Sequence, residues 1–156
     1  MNTVENLCQI LEKNHIEYKR FEHAPVKTSE EAAKIRGVEL RTGVKAMLLK
    51  SKGGDFIMVL LPADKKIDFR KIEQLKNTKK LSFASPLEVL EETGCEIGGV
   101  SPFGHTKNGK DHRIKTYMDK GVFESEYVNF NAGDRTISVT MTSKDLSIVV
   151  SNVIYF

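Results

Sequence analysis

The sequence contains no tryptophan and only two cysteines among its 156 residues. Cys8 and Cys95 are too few and too isolated to predict an extracellular disulfide framework. No apolar run approaches the roughly 20 residues that span a bilayer. The first fourteen residues carry Glu5 and Glu12 within their apolar pattern and lack the basic lead of a signal peptide. We therefore expect a cytoplasmic protein that does not associate with membranes.

The chain also lacks a strong charge of one sign and a metal-binding pattern. Its 24 Lys and Arg against 21 Asp and Glu give a net charge of +3, which attracts a polyanion only weakly. The four histidines show no metal-ligand spacing, so neither a metal nor another cofactor is expected. Basic residues do cluster locally, between 65 and 80 and between 107 and 115, and each cluster indicates either a solvated face or a phosphate-contacting surface. The candidate contacts are Lys65, Lys66, Arg70, Lys107, Lys110 and Arg113.

The size and the apolar content predict one folded domain covering residues 1–156. Hydrophobic residues make up 40% of the chain, and a chain of this length buries roughly two-thirds of its unfolded surface. No linker or low-complexity segment divides it. Strands and short helices alternate without a regular βαβ pattern, so we predict an α+β fold with a mixed, largely antiparallel sheet.

Local patterns place the individual elements. Capping signals and helical spacing predict helices at 3–14, from Thr28 to Gly37, after Asp68, from Ser85 to Gly94, and at 143–150. Period-two or continuous apolar runs predict strands at 17–22, 45–50, 56–61, 81–84, 114–118, 127–131 and 136–141. Runs 45–50 and 56–61 are joined by a turn containing Gly53 and Gly54, and both are almost wholly apolar. We expect this hairpin to be central and covered on both faces.

A glycine-rich stretch at 98–110, GGVSPFGHTKNGK, admits three interpretations. Residues 99–106 resemble a phosphate-binding G-x-x-x-x-G-K-T loop, but His105 replaces the lysine and a helix precedes the loop where a strand is required. Ser101 begins a nucleophile pattern, but Pro102 has no N–H for the oxyanion hole. The third interpretation is a rigid backbone lining in which the amides of Gly99, Val100 and Ser101 face a ligand. An ordinary tight turn after a helix remains the alternative.

Several blocks of the sequence together resemble the YbaK family of prolyl-tRNA editing domains. They are GVKAMLLK at 43–50, LLPADKKIDFRKIEQL at 60–75 and SPLEVLEETGCEIGGVSPFG at 85–104. The family's G-x-x-x-P signature falls on Gly98 to Pro102. The resemblance continues through YVNFNAGDRTISVTMTSKDL at 127–146, where relatives have a small turn between strands, and so spans nearly the whole chain.

The resemblance implies a barrel-like mixed sheet with surrounding helices, and hydrolysis of an amino acid wrongly esterified to tRNA. It implies that Lys45 carries the family's essential lysine and that a hydroxyl of the terminal ribose helps to orient the attacking water. We accordingly expect a trans-acting, metal-independent deacylase for a Cys- or Ala-charged tRNA of the prolyl type. The implied substrate-binding residues are Gly98, Gly99, Val100, Ser101, Pro102, Phe103, Gly104, Ala132 and Gly133.

The sequence departs from the family at a few places. Phe21 and Ser138 stand where some relatives have tyrosine and aspartate, so polar contacts from those positions are not carried over. His105 follows the signature directly; it is expected to be an exposed loop histidine, with contact to the tRNA as the alternative. Cys95 is expected to lie buried beneath the loop and to take no part in catalysis.

The expected partners are the aminoacylated end of tRNA and, as a further possibility, an aminoacyl-tRNA synthetase. The chain is expected to be a monomer or a weak dimer. The alternative function is a non-catalytic module that binds charged tRNA or a synthetase, and a hydrolase of small-molecule esters is a third. The sequence alone identifies neither the amino acid removed nor the tRNA.

Overall fold

The computed structural model describes all 156 residues and contains five α-helices and ten strands. The helices are α1 (Thr3–Lys13), α2 (Ser29–Arg36), α3 (Phe69–Lys76), α4 (Pro86–Thr93) and α5 (Ser143–Val149). The strands are β1 (Lys19–Glu22), β2 (Val44–Lys50), β3 (Phe56–Pro62), β4 (Ser82–Phe83), β5 (Thr106–Lys107), β6 (Lys110–Asp111), β7 (Thr116–Met118), β8 (Tyr127–Asn131), β9 (Ile137–Thr142) and β10 (Val153–Tyr155). Two 3₁₀ turns, Leu40–Thr42 and Lys120–Glu124, complete the elements.

The strands form a five-stranded mixed sheet, a three-stranded antiparallel sheet and a small hairpin. The five-stranded sheet has the order β10-β7-β3-β2-β4, with β7 parallel to both β3 and β10. The three-stranded sheet has the order β1-β9-β8, and β5 pairs with β6. A single parallel bridge between Gly43 and Asn129 links the two larger sheets, and no continuous ring of strands closes a barrel. The predicted α+β class with a mixed sheet is confirmed.

The hairpin of β2 and β3 is central, as predicted, and both its faces are buried. Successive side chains of a strand point to opposite faces. Leu48 and Met58 therefore pack into a 22-residue core cluster that also contains Phe130. Their neighbours Leu49 and Ile57 pack on the other face, into a second cluster of seven buried residues. This double burial fixes the position of every residue along β2.

Capping side chains set the helix boundaries close to those predicted. Asn2 accepts a hydrogen bond from the N–H of Glu5 at the start of α1. Ser85 and Glu88 form the complete capping box of α4, and Pro86 occupies its first turn. Gly94 ends α4 in the left-handed region, at φ +71°. Helix α4 therefore delivers the chain directly into the glycine-rich stretch.

Some boundaries differ from the prediction, and three strands were missed. The strand expected at 114–118 begins at Thr116, and that expected at 81–84 contains only Ser82 and Phe83. Residues 153–155 form β10 beside β7, an arrangement that depends on a partner distant in sequence. The Asn108-Gly109 turn was expected, but the two-residue strands it joins were not. None of the helices has the length and apolar character that crossing a membrane requires.

Gly104 provides a test of how tightly the loop packs against α1. Its φ is +78°, and an added Cβ would lie 2.8 Å from the Cα of Leu7. We expect Gly104→Ala to lower the free energy of unfolding by about 2–5 kcal/mol, because left-handed strain adds to overpacking. Urea denaturation measures this loss.

Gly37→Ala is the matched control for strain alone. Gly37 has a similar φ of +69°, but nothing lies within 4 Å of its added Cβ. We expect this control to lose only about 1 kcal/mol. Equal losses in the two variants would contradict a tight loop–helix contact.

Candidate active site

One cavity of about 360 Å³ brings Lys45 together with part of the glycine-rich loop. Helix α2, strand β2, the loop and strand β8 contribute its walls. Lys45 is the second residue of β2, opposite Leu61 in β3, so the buried hairpin determines where its side chain starts. Gly98 and Val100 are the residues of the loop that line the cavity. The lysine and the loop, predicted separately from the sequence, thus border the same space.

Lys45 is half-buried and forms no ion pair or hydrogen bond within the protein. Burial lowers the pKa of its amine below the usual lysine value, and the nearby charge of Lys66 adds to that effect. The carboxylates of Glu30 and Asp64 act in the opposite direction. Because its amine has no partner in the fold, Lys45 retains all its donors for a ligand in the cavity.

The cavity is rich in positive charge and free of acid. Lys27, Arg36 and Lys45 all line it, whereas no aspartate or glutamate does. Burial lowers the pKa of the Arg36 guanidinium to about 10, which still leaves it charged at neutral pH. Fixed cations in a recess of low dielectric attract anions more strongly than the same charges on an open surface. The cavity therefore favours a ligand that carries negative charge.

The loop presents only some of its amides to the cavity. The N–H of Gly99 donates to the carbonyl oxygen of Glu96 at 2.9 Å, so the expectation that this amide is free is wrong. Ser101 is fully buried away from the cavity, and its amide lies beside the thiol of Cys95. The N–H groups of Gly98 and Val100 have no partner in the protein. Gly98 and Val100 are therefore loop residues that line the cavity and have unpaired amides.

His105 is buried, and the expectation of an exposed loop histidine is wrong. Its side chain is 4% exposed, and its Nε2 donates to the carbonyl oxygen of Ser101 at 2.7 Å. Burial lowers its pKa to about 4, so the imidazole is neutral at pH 7. The loop lies beneath α1, whose Asn6 donates to the carbonyl oxygen of Gly104, and this contact between distant segments covers the histidine. His105 therefore stabilises the loop from the side that faces α1.

Other residues predicted for the site lie elsewhere. Pro102, Phe103 and Gly104 line a separate cleft on the α1 side of the loop. Ala132 is fully buried in the main core, and an added Cβ at Gly133 would lie 3.0 Å from the side chain of Thr3. Neither residue lines the cavity. Cys95 is buried as expected, at 1% exposure, and burial raises the pKa of its thiol.

The two basic clusters differ in their relation to the cavity. Lys65, Lys66 and Arg70 are exposed, and the charge of Lys66 acts on Lys45. Lys65 is 3.4 Å from Asp119, so part of its charge is neutralised. In the second cluster, Lys107 pairs with Glu92 and lines another cleft. Arg113 lines the cleft beside α1, and Lys110 lies on exposed β6. Of these six residues, Lys66 is the one whose charge acts on Lys45.

Sequence reasoning missed several residues that line the cavity. They are Lys27, Arg36, Phe83, Asn129 and Asn131. The alternation of polar residues in YVNFN places Asn129 and Asn131 on one face of β8, and this pattern could have identified both residues from the sequence. Arg36 lies in the last turn of α2, where cations are common, and only the tertiary structure shows that it is mostly buried.

Comparisons with known proteins give concordant results. The family model described as "Aminoacyl-tRNA editing domain" matches residues 23–147. The multifunctional Ser/Thr-tRNA deacylase ProXp-y of Escherichia coli K12 is 31% identical over 148 residues, covering 92% of this chain and 85% of that protein. The prolyl-tRNA editing protein ProX of Acetoanaerobium sticklandii is 30% identical over 151 residues, covering 96% and 92%.

A solved structure extends the comparison to the fold. The structure titled as a putative trans-editing enzyme for prolyl tRNA synthetase superposes with a TM-score of 0.81. It covers all of this chain and 96% of its own, at 24% identity. At that identity the superposition shows a shared fold.

The burial of His105 predicts how stability changes with pH. The unfolded chain binds a proton near pH 6.5 and the folded protein only near pH 4, so stability is present above pH 6.5 and is lost as the pH falls towards 4. We expect the His105 contribution to fall by about 2 kcal/mol between pH 7 and pH 4.5. Urea denaturation at the two pH values measures it.

His105→Gln should remove this component, because a glutamine amide can donate to Ser101 and does not ionise. His15→Gln, at an exposed position, is the control and should keep the wild-type pH dependence. A steep acid loss that persists unchanged in His105→Gln would show that the buried imidazole is not its source.

Proposed function

This chain belongs to the aminoacyl-tRNA editing domain family, and from that premise we propose that it removes a small, wrongly attached amino acid from tRNA in trans. It is an aminoacyl-tRNA hydrolase of the type that acts on prolyl, seryl or threonyl tRNA. The candidate amino acids are alanine, cysteine, serine and threonine. One observation supports the proposal above the others: Lys45, Gly98 and Val100 line one acid-free cavity, and the amides of the two loop residues are unpaired.

The reaction requires little from side chains. The oxygen of a water molecule attacks the ester carbonyl carbon, the bond from that carbon to the ribose oxygen breaks, and the proton of the water passes to the ribose oxygen. The products are the free amino acid and the uncharged tRNA. An adjacent ribose hydroxyl orients the water, as the family resemblance implies, and the protein holds the carbonyl in place.

The amides of Gly98 and Val100 are the proposed donors to the carbonyl oxygen, which becomes negatively charged as water adds. A preorganised donor of this kind contributes roughly 3–4 kcal/mol to stabilising the transition state. Backbone donors on a braced loop need no reorganisation during the reaction. They act on any amino acid that fits the cavity, because they contact the ester and not the side chain.

Lys45 is the proposed anchor of the terminal nucleotide. Its unpaired amine is suited to a phosphate or ribose oxygen, and Lys27 and Arg36 add to the local field. A cavity of about 360 Å³ lies near the lower end of the range for small-ligand sites. A small aminoacyl group fits such a space, whereas synthetase pockets separate small side chains by only about 1–3 kcal/mol per methylene.

The wider contact with tRNA is proposed to be electrostatic. Lys66 acts on Lys45, and Lys65, Lys66 and Arg70 are exposed cations suited to the acceptor stem. A synthetase partner remains a prediction. A non-catalytic binding module would protect the ester of a charged tRNA where a deacylase releases the amino acid. A small-ester hydrolase would show little dependence on salt, whereas phosphate contacts predict a steep loss of activity with rising salt.

The first test of the proposal is Lys45→Ala. We expect turnover of tRNA charged with alanine, cysteine, serine or threonine to fall at least 100-fold, because the nucleotide loses its anchor and the ester its alignment. Release of the radiolabelled amino acid measures turnover. Lys52→Ala, at an exposed turn residue remote from the lining, is the matched control and should keep wild-type activity. Full activity of Lys45→Ala would exclude the assigned role.

Phe83 is a second test, because it is an exposed aromatic ring at the rim of the cavity. Its side chain is 55% exposed, and Phe69 holds it edge-to-face at 5.2 Å between ring centroids. Nucleic-acid bases stack on such rings, with about 1–3 kcal/mol per base. We propose that the terminal base of the tRNA stacks on Phe83.

Phe83→Ala should therefore raise KM for charged tRNA about tenfold, with a smaller change in kcat, whereas Phe83→Tyr should resemble the wild type. Leu87→Ala removes another exposed apolar side chain, 64% exposed and outside the lining, and should change neither constant. If the alanine variants at 83 and 87 behave alike in steady-state kinetics, stacking on Phe83 is wrong.

A further inference from the structure

Arg36 is a mostly buried cation with no carboxylate partner. Its guanidinium donates through Nε to the Oγ of Ser138 at 2.8 Å, and through its two terminal nitrogens to the Oδ1 atoms of Asn129 at 3.0 Å and Asn131 at 2.8 Å. All three acceptors are neutral and lie on β8 and β9. A charge buried at this cost needs a compensating role, and stability alone favours an apolar residue in such a place.

The bond to Asn131 fixes the orientation of that side-chain amide. Because Oδ1 accepts from Arg36, the Nδ2 end is turned the other way, where it donates to the carbonyl oxygen of Gly98. Arg36 is thereby connected through one side chain to the first residue of the loop signature. The connection joins α2, β8 and the loop, which are far apart in sequence.

The carbonyl of Gly98 and the N–H of Gly99 belong to the same planar peptide unit. Asn131 holds the carbonyl end of this plane, and the carbonyl oxygen of Glu96 holds its N–H end at 2.9 Å. The plane is therefore held from both sides. The peptide units immediately before and after it carry the unpaired N–H groups of Gly98 and Val100, and both of these residues line the cavity.

We propose that Arg36 and Asn131 are positioning residues, which hold the Gly98–Gly99 peptide plane so that the flanking amides of Gly98 and Val100 are aimed at the ester carbonyl. This inference rests on the proposed deacylase function. Arg36 acts through Asn131 and the loop. Fixing these donors before the substrate arrives avoids their reorganisation during the reaction, which is where preorganised amides gain their effect.

The geometry explains why this position requires arginine. Three diverging donors reach three acceptors on two strands, and a planar guanidinium provides them at fixed angles, whereas a lysine amine is a single point. Bonds from a charged donor are also stronger than bonds between neutral groups. Neutral acceptors leave the positive charge of Arg36 unneutralised, so it continues to contribute to the field of the cavity.

Asn131→Asp is the sharpest test, because it changes one donor group and keeps the shape of the side chain. The aspartate still accepts from Arg36, but it cannot donate to the Gly98 carbonyl and repels it. We expect kcat for charged tRNA to fall about 100-fold, comparable to the loss of a single oxyanion donor. Steady-state release of the amino acid measures kcat and KM separately.

Asn129→Asp is the matched comparison for the added negative charge. Asn129 is on the same face of β8, also lines the cavity and also accepts from Arg36, but its Nδ2 donates to Thr42 and not to the loop. Both variants should raise KM to a similar extent through charge. We expect kcat of Asn131→Asp to be at least tenfold below that of Asn129→Asp. Equal kcat values would overturn the inference.

Hydrogen exchange gives a readout that does not depend on activity. In the wild type the Gly99 amide is paired and should be protected. We expect its exchange to accelerate at least tenfold in Asn131→Asp, while the amide of Met58 in the central hairpin, bonded to Lys115, stays protected in the same sample. Protection of Met58 shows that the variant is folded. A Gly99 amide that remains protected contradicts the proposed positioning.

The two readouts separate failure of this inference from failure of the proposed function. If the wild type deacylates tRNA and Asn131→Asp does so equally well, the positioning role is wrong and the function stands. If the wild type releases no amino acid from any charged tRNA, the proposed function is wrong, and the role of Asn131 in holding the loop is decided by Gly99 exchange alone. Arg36→Lys, which keeps the charge, should loosen Gly99 as Asn131→Asp does.

Discussion

Positive charge that forms no ion pair, enclosed in one cavity, is the constraint on which the rest of the site depends. Burial lowers the pKa of both Lys45 and Arg36, which means that the fold works against their charged forms. A protein that needed only stability would pair these groups with carboxylates or replace them. A ligand that supplies negative charge offsets, on binding, the free energy that burial of these unpaired cations costs. The arrangement that lowers stability therefore favours a phosphate-bearing substrate.

The loop satisfies a second requirement: its unpaired amides must be held rigid without forming hydrogen bonds within the protein. Its hidden side is fully engaged: His105 holds the carbonyl of Ser101, Glu96 holds the amide of Gly99, and Asn6 holds the carbonyl of Gly104. Each of these bonds fixes the orientation of one peptide plane through its carbonyl oxygen or its N–H group. The amides of Gly98 and Val100 are thereby oriented while they remain free. The loop is rigid and its two amides are still available, because the bonds that hold the loop are made by other groups of its backbone.

The parts that local sequence could predict are those that local physics determines. The apolar runs of β2 and β3 predicted a covered hairpin, and Ser85, Pro86 and Gly94 predicted the limits of α4, because capping acts within four residues. The family resemblance directed attention to Lys45 and the loop. Burial of His105 and Arg36 was not predictable in this way, since their partners are contributed by segments that approach only in the folded chain. Glycine-rich loops are usually exposed, and that expectation fails where a helix covers the loop.

The junction of the two larger sheets explains how residues so far apart in sequence come to line one cavity. Gly43 immediately precedes β2, and its bridge to Asn129 on β8 joins the strand that carries Lys45 to the strand that carries two of the three acceptors of Arg36. An added Cβ at Gly43 would lie 3.1 Å from that of Ala63, so the close approach of the chain before β2 to the chain after β3 depends on a residue without a side chain. The proposed anchor for the nucleotide and the proposed support for the loop therefore share one frame. Because the proposed donors are backbone amides, the side chains lining the cavity can vary with the amino acid to be removed while the frame and the chemistry stay the same.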